Sequence, residues 1–491
     1  MNTSSDRRRI AVIGGGISGL AAAYELTRAR RAGAPIEECL FEASPRLGGV
    51  IRTERQDGFI LEGGPDSFLT EKPDAAELAR ELGLGSALVG SNDRERQTYI
   101  LHRGRLVPLP DGMMLMVPTR LWPALTTPLI SFTGKLAVAR ERFQRIQPAL
   151  RRDEDETVAS FVRRHFGQEI LENIADPLLA GVYGGDSETL SAPATLPRFW
   201  EMEQKHGSLV KAALEARRRR RASGRGSAES HPLFTTPQGG LEQLVQRLAQ
   251  ELEPSKVLLG RKVAALEPAQ DSGGGYLVRL EGEEPYAAEA VILALPAHEV
   301  VRLARRLEPA IEGLEAVPYS SAVTVSLAYA KKDRLPPGFG FLAPKKEGRR
   351  MLACTFVHAK FPGRAPEGRA LLRCFFGGAR DPAVVSLNDA ELVDIACEEL
   401  RAILSLRASP LFARVFRSPR AMPQYTVGHA ARIRQIQERL RPERGLFLAG
   451  NAYAGIGIPD CIRSGGEAAR RAVEAVCSDQ RAAESGARAG G

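Results

Sequence analysis

Apolar positions are densest near the start of the chain and fall into a short, ordered series. Ile10-Ala11-Val12-Ile13 is an uninterrupted apolar run, the pattern of a strand buried on both faces. Gly14-Gly15-Gly16-Ile17-Ser18-Gly19 follows at once, and Leu20 to Arg31, rich in Ala and Leu, predicts a helix. A second strand is expected over Cys39–Glu42, so the acid Glu42 comes 28 residues after Gly14. Strand, glycine turn, helix, strand and acid in this order are the parts of a dinucleotide-binding βαβ unit.

Two distant runs fit the same sheet. Ala290 to Leu295 is apolar and stops at Pro296, and Gly445 to Gly450 is followed by Asn451, Gly455-Ile456-Gly457-Ile458 and a helix expected from Asp460. Between these pieces, residues 92–210 are mainly helical in pattern. They include Met113 to Phe132, an apolar stretch broken by Pro118, Pro123 and Pro128, which excludes a regular spanning helix. It reads either as core and lid or as a surface that dips into lipid. In residues 300–425, runs such as Ala322–Tyr329 and Leu371–Phe376 have the alternation and β-branched content of a mixed sheet.

The expected fold class is therefore α/β with α+β. A Rossmann-like nucleotide domain is assembled from 1–91, 232–299 and 426–478, with a helical insertion at 92–210 and a mixed-sheet substrate domain at 300–425. A basic linker at 211–231 and a flexible tail at 479–491 complete the division.

Each residue of the glycine turn has a physical task. Gly14 permits the tight turn, Gly16 lets a pyrophosphate approach the backbone, and Gly19 lets the helix pack close to the strand. Gly15, Ile17 and Ser18 contribute backbone N–H groups at the positive end of the helix. Glu42 is placed to accept hydrogen bonds from the adenosine ribose.

Composition changes this picture little. Of 491 residues, 43% are hydrophobic and 26% charged, as in an ordinary globular protein. The net charge of +9 suggests nucleic acid until it is located: Arg217–Arg221 and Arg225 carry six of those charges in one glycine- and serine-bearing segment, so a solvated linker is expected and no nucleic-acid partner. Cysteines at 39, 354, 374, 397, 461 and 477 form no CxxC pair, so neither a zinc site nor a disulfide framework is expected. With no signal-peptide pattern, a cytoplasmic protein is expected, with peripheral contact at the inner face of the membrane left open.

Ala43-Ser44-Pro45-Arg46-Leu47-Gly48-Gly49 and Gly63-Gly64-Pro65-Asp66-Ser67 resemble the extended signature of glutathione-reductase-like and amine-oxidase-like flavoproteins. The resemblance implies FAD. It puts Ala43, Arg46, Gly48 and Gly49 beside the adenosine diphosphate, and Gly64, Pro65, Asp66 and Ser67 near the flavin. It also assigns Val263, Ile456, Gly457 and Ile458 to the cofactor.

Asp176-Pro-Leu-Leu-Ala-Gly181-Val-Tyr-Gly184-Gly185-Asp186, Phe234-Thr-Thr-Pro-Gln-Gly239-Gly240, Met422-Pro-Gln-Tyr425 with Gly428-His429, and Gly450 to Ile462 narrow the resemblance. They are similar to motifs of the oxygen-dependent protoporphyrinogen/coproporphyrinogen oxidases, over residues 8 to about 475. In the protoporphyrinogen enzymes an Arg commonly stands where Thr98 stands here. The segments at Gly64–Leu69, Ala365–Gly368 and Met422–His429 look like the bacterial coproporphyrinogen III oxidases.

The resemblance implies a six-electron oxidation of coproporphyrinogen III to coproporphyrin III, with molecular oxygen as acceptor and hydrogen peroxide released, in porphyrin and heme biosynthesis. Protoporphyrinogen IX is the alternative substrate, and an amine oxidase or carotenoid desaturase the more distant reading. Lys72, Arg103, Lys205 and His206 are candidate partners for substrate carboxylates, and the backbone at Gly181 is a candidate floor for the macrocycle. No catalytic side chain is assigned. His429 and Tyr425 read as structural. The resemblance leaves open a monomer or homodimer and a hand-off of product to ferrochelatase.

Overall fold

The computed structural model describes residues 7–143, 154–222, 232–269, 274–332, 335–440 and 444–489. Five strands form one parallel sheet: β1 (Arg8–Ile13), β2 (Ile36–Glu42), β3 (Val257–Leu259), β4 (Ala290–Leu293) and β5 (Leu446–Leu448), in the spatial order β3-β2-β1-β4-β5. The helices α1 (Ile17–Arg31) and α2 (Ile458–Ala489) lie against one face. The alternation within β1 sorts the two sides. Ile10 and Val12 join the helical core with Leu20, Leu26, Ala469 and Ala472. Ala11 and Ile13 face the other way, onto a three-stranded antiparallel sheet (Val263–Pro268, Tyr276–Leu280, Tyr286–Ala288). With residues buried on both faces, the strands can be apolar throughout, as β1 and β4 are.

A second sheet has seven strands. From one edge these are Phe412–Pro423, Tyr319–Tyr329, Ala370–Gly377, Ala353–Phe356, Gly340–Leu342, Thr98–His102 and Arg105–Pro108. All neighbours are antiparallel except Gly340–Leu342 with Thr98–His102. Leu372, Cys374 and Phe376 pack under the helix Asp389–Leu404, while Leu371 faces Phe59 and Leu61 of the nucleotide domain. The helix Asp389–Leu404 opens on a reciprocal cap, in which Asn388 Oδ1 accepts from Glu391 N–H and Glu391 accepts from Asn388 N–H.

The helical lobe packs its own core around Phe161, Phe166, Ile174, Leu190 and Val210. Its boundary differs from the expectation at 92. Thr98–Pro108 forms a hairpin that extends the seven-stranded sheet, because Tyr99 and Ile100 pair with Phe341 and Leu342. Two other segments also differ. The expected linker is helical as far as Ala222 within Leu209–Ala222, and its residues 223–231 lie outside the described residues. The last helix continues to Ala489, through most of the stretch expected to be a flexible tail.

Candidate functional site

The first glycine turn is built as its sequence requires. Gly14 has φ +110°, and a Cβ there would lie 2.3 Å from the Ala294 carbonyl oxygen. A Cβ at Gly19 would lie 1.8 Å from the Gly14 carbonyl oxygen, so that helix α1 can sit this close to the turn only with glycine. At Gly16 a Cβ would meet nothing within 4 Å: this position faces open space. Helix α1 begins there with no side-chain cap and no acid in its first turn, leaving its N–H groups and partial positive charge for an anion. Glu42 closes the turn, accepting from Gly15 N–H at 2.6 Å and Ser44 N–H at 2.8 Å. Val263 lies close by in sequence to Arg261, whose N–H donates to the Glu42 carbonyl, and its own side chain is buried in the core between the two sheets.

The second glycine pair stacks on the first. Gly48 N–H donates to Gly15 O at 2.8 Å, and a Cβ at Gly49 would come within 3.3 Å of Gly16 Cα. Arg46 folds over the same loop, donating to the carbonyls of Leu47, Gly49 and Ile51, with Ala43 exposed beside it. The turn Gly63–Ser67 rests on this layer: a Cβ at Gly64 would lie 1.9 Å from the Val50 carbonyl oxygen. Behind Pro65 the turn is held by charge. Asp66 accepts from Lys360 Nζ at 2.9 Å and from Ser67 Oγ at 2.7 Å. Burial opposes ionisation of Asp66, but Lys360 and Arg373 outweigh it and hold the carboxyl below its ordinary range.

The third piece arrives from far along the sequence. A Cβ at Gly465 would lie 2.1 Å from Ser18 O, so α1 and α2 cross at backbone contact and bring their N-termini together. Before α2, the segment Asn451–Gly457 is fixed by Tyr425, whose hydroxyl donates to Asn451 O at 2.6 Å and accepts from Gly455 N–H at 3.0 Å. His429 stacks on Tyr425 with ring centroids 4.1 Å apart. Burial lowers the His429 pKa to about 4 and pushes Tyr425 well above the usual phenol range. Asp460 accepts from Gly457 N–H at 3.3 Å and binds Lys72 Nζ through both oxygens, at 2.6 and 2.7 Å. Lys72 thus stands beside Ile456, Gly457 and Ile458.

The opposite side is formed by the helix Asp176–Tyr183. Gly181 on it is exposed, and a Cβ there would come within 3.3 Å of Leu342. Gly184 ends the helix in the left-handed region, and its carbonyl accepts from Ala379 N–H. Gln424 Nε2 donates to Tyr183 O and to Ser320 Oγ, both at 3.0 Å. The other three candidate cations stand on different elements. Arg103 occupies the tip of the Thr98–Pro108 hairpin at φ +52°, where its N–H donates to Glu347. Lys205 and His206 end the helix Pro197–His206 and pair with Glu201 and Glu215.

Three glycine layers and two converging helix N-termini make a cradle that fits an adenine dinucleotide, with Gly16 open to it. Among the described residues no His, Cys, Asp and Glu cluster could hold a metal ion. The sequence reading passed over Lys360, Arg364 and Arg373. The signal was present in Leu371-Leu372-Arg373-Cys374: a charge inside an apolar strand must meet a partner on one face.

The family described as flavin containing amine oxidoreductase matches residues 17–473. Coproporphyrinogen III oxidase of Bacillus subtilis (strain 168) is 36% identical, over 94% of this chain and 97% of its own length. Protoporphyrinogen oxidase 1, chloroplastic, of Arabidopsis thaliana is 32% identical, over 93% of this chain and 86% of its own. The crystal structure of a protein named as a putative protoporphyrinogen oxidase, from Exiguobacterium sp. 255-15, superposes with a TM-score of 0.82 at 32% identity, covering 95% of this chain and 98% of that one. Putrescine oxidase, at 18% identity and a TM-score of 0.67, shares the fold.

Proposed function

The chain belongs to the flavin-containing amine oxidoreductase family, on the branch that holds the porphyrinogen oxidases, and from that membership we propose that it oxidises coproporphyrinogen III to coproporphyrin III. The observation that carries the choice of substrate is position 98, where Thr stands in place of the Arg that would hold a propionate of the dicarboxylate substrate. The curated relatives named coproporphyrinogen III oxidase, at 32–36% identity, support the same choice.

The chain's own residues bind and orient. Gly14–Gly19 and Gly48–Gly49 would hold the FAD diphosphate, and Glu42 the ribose, by exchanging its bond to Gly15 or Ser44. Bound FAD supplies a two-electron acceptor, re-oxidised by molecular oxygen with release of hydrogen peroxide. The absence of a side chain at Gly181 leaves room for a flat macrocycle against the helix Asp176–Tyr183. Lys72, held by Asp460 and part-exposed, would meet a substrate carboxylate. No side chain is assigned as a base. Burial raises the Tyr183 pKa to about 12, so its phenol stays neutral. A pyrrole N–H then gives its proton to solvent as each bridge carbon is oxidised. Positioning and exclusion of water carry the protein's share.

A second reading concerns place rather than chemistry. Trp122, Phe132 and Leu136 are 77%, 81% and 61% exposed on the neighbouring helices Leu121–Thr126 and Phe132–Glu141, and Phe143, just past the second helix, is 79% exposed. Such a patch suits peripheral contact with a bilayer. No helix among the described residues is long and apolar enough to cross one. The substrate test is kcat/KM for coproporphyrinogen III against protoporphyrinogen IX under air, read by porphyrin fluorescence. Preference for the four-carboxylate substrate is expected, and equal or reversed values overturn the assignment.

A further inference from the structure

We propose that Arg373 is a buried positive charge that raises the reduction potential of the bound flavin. Arg373 is 4% exposed and lies in the strand Ala370–Gly377. Its neighbours Leu372 and Cys374 point into the core beneath the helix Asp389–Leu404, so Arg373 projects toward the nucleotide domain, as Leu371 does. There its Nη2 donates to the carbonyl oxygen of Gly64, in the turn that rests on the second glycine pair.

Its partners are incomplete. Nε has no hydrogen-bond partner. Among the described residues the guanidinium makes no ion pair: Asp66 is taken by Lys360 at 2.9 Å, and Glu62 by Arg364 at 3.2 Å. Burial draws the Arg373 pKa down, while Asp66 and Glu62 act against that, and a guanidinium remains charged at neutral pH. A charge withdrawn from water without its own counter-ion is unfavourable unless a ligand brings one. The turn it holds is the one that the glycine layers set against the cofactor. Negative charge that accumulates on the isoalloxazine when it takes up two electrons is an anionic partner of this kind, and a fixed cation in a dry site favours the reduced form. The inference rests on FAD occupying the cradle and is independent of which porphyrinogen is oxidised.

The test uses holoprotein, with the potential and sulfite binding read without substrate and KM read under turnover. Arg373→Gln is expected to keep FAD, to weaken reversible bleaching of the flavin by sulfite about tenfold, and to lower the potential by about 30 mV, the equivalent of tenfold for a two-electron couple. Asp66→Asn, which removes a negative charge from the same cluster, is expected to shift both in the opposite direction. A general distortion of the site would move both variants the same way and would overturn the proposal. An unchanged potential in flavin-loaded Arg373→Gln does the same, as does a change confined to KM, which would make the guanidinium a substrate anchor. Should Arg373→Gln lose its flavin, Arg373→Lys and Asp66→Asn decide. A near-native potential in the first with a raised one in the second supports the proposal, and an unmoved Asp66→Asn rejects it. A protein that never binds FAD fails at the cradle, separately from Arg373.

Discussion

Lys72 Nζ and the Asp460 carboxylate meet at 2.6 and 2.7 Å although 388 residues separate them. Asp460 is also bound by Arg463 at 2.8 Å and is itself buried. Lys72→Ala therefore leaves the carboxylate a partner and should lower stability by only about 1 kcal/mol or less. If Lys72 meets substrate, the same change should raise KM for coproporphyrinogen III about tenfold or more. Asp460→Ala removes the anchor of Gly457 and should cost about 1–3 kcal/mol, with weakened FAD retention. Thermal melts of the apoprotein and FAD release on gel filtration separate the two effects.

The glycines of the first turn should divide into two classes. Gly19→Ala puts a Cβ 1.8 Å from the Gly14 carbonyl oxygen and should destabilise the protein by about 1–3 kcal/mol or more, through forced separation of α1 from the sheet. Gly16→Leu has free space and should fold normally yet be colourless, because the side chain fills the place of the diphosphate. Melting temperature and flavin absorbance on the same samples check both.

His165 sits fully buried between Glu141 Oε1 at 3.0 Å and Glu203 Oε1 at 3.2 Å. Burial lowers its pKa, but the two carboxylates outweigh it, and the net shift is upward. Arg164, which binds Glu203 and Glu156, shares the cluster, and Ser208 Oγ with the N–H groups of Leu209 and Val210 donates to Glu141. A raised folded pKa means that the stabilisation is complete below the ordinary histidine value of 6.5 and is lost as pH rises through the folded value. Stability should fall as pH rises above the ordinary histidine value, and His165→Gln should flatten that decline. Denaturant titrations from pH 6 to 9 measure it.

Thr98 opens the strand second from the edge of the seven-stranded sheet, paired with Gly340. Thr98→Arg should raise kcat/KM for protoporphyrinogen IX about tenfold or more relative to coproporphyrinogen III, the value of one charge-assisted hydrogen bond. A ratio that does not move would remove position 98 from the account of specificity.

Vesicle binding should depend on the exposed lobe helices. Substituting Trp122, Phe132 and Leu136 by Ser should reduce co-sedimentation with liposomes about tenfold or more while leaving the melting temperature within a few degrees, since none of the three is buried. Wild-type protein that stays in the supernatant would refute the membrane reading.

The nucleotide unit was legible because each residue type there answers a local demand. Gly14 needs positive φ, Gly19 needs close approach, and Ile10–Ile13 is buried on both faces. The second sheet was legible as strands but not in its order. Nothing local in Thr98–Pro108 announces that it will pair with Gly340–Leu342, since that depends on contacts between distant segments. The apolar stretch Met113–Phe132 held both of its readings at once: Met116, Val117, Leu129 and Ile130 are core, and Trp122 and Phe132 are outside. For Arg103 the sequence offered a basic residue but no direction, and the structure puts it at a hairpin tip, with positive φ before Gly104. The contacts behind the Gly63–Ser67 turn join residues about 300 positions apart, the ion pair of Asp66 with Lys360 and the hydrogen bond from Arg373 to the Gly64 carbonyl, and periodicity does not reach across such distances.

The crossing of Ser18 with Gly465 sets a timetable for biosynthesis. On the ribosome, β1 and α1 emerge hundreds of residues before β5 and the helix that locks against them. Until then the parallel sheet has an open edge, and one of the two positive helix ends is missing. The seven-stranded sheet and the helical lobe are encoded in between, and can collapse first around their own cores. Cofactor capture is thereby deferred to the close of translation, and a nascent chain arrested before residue 446 should retain no flavin however well its middle has folded.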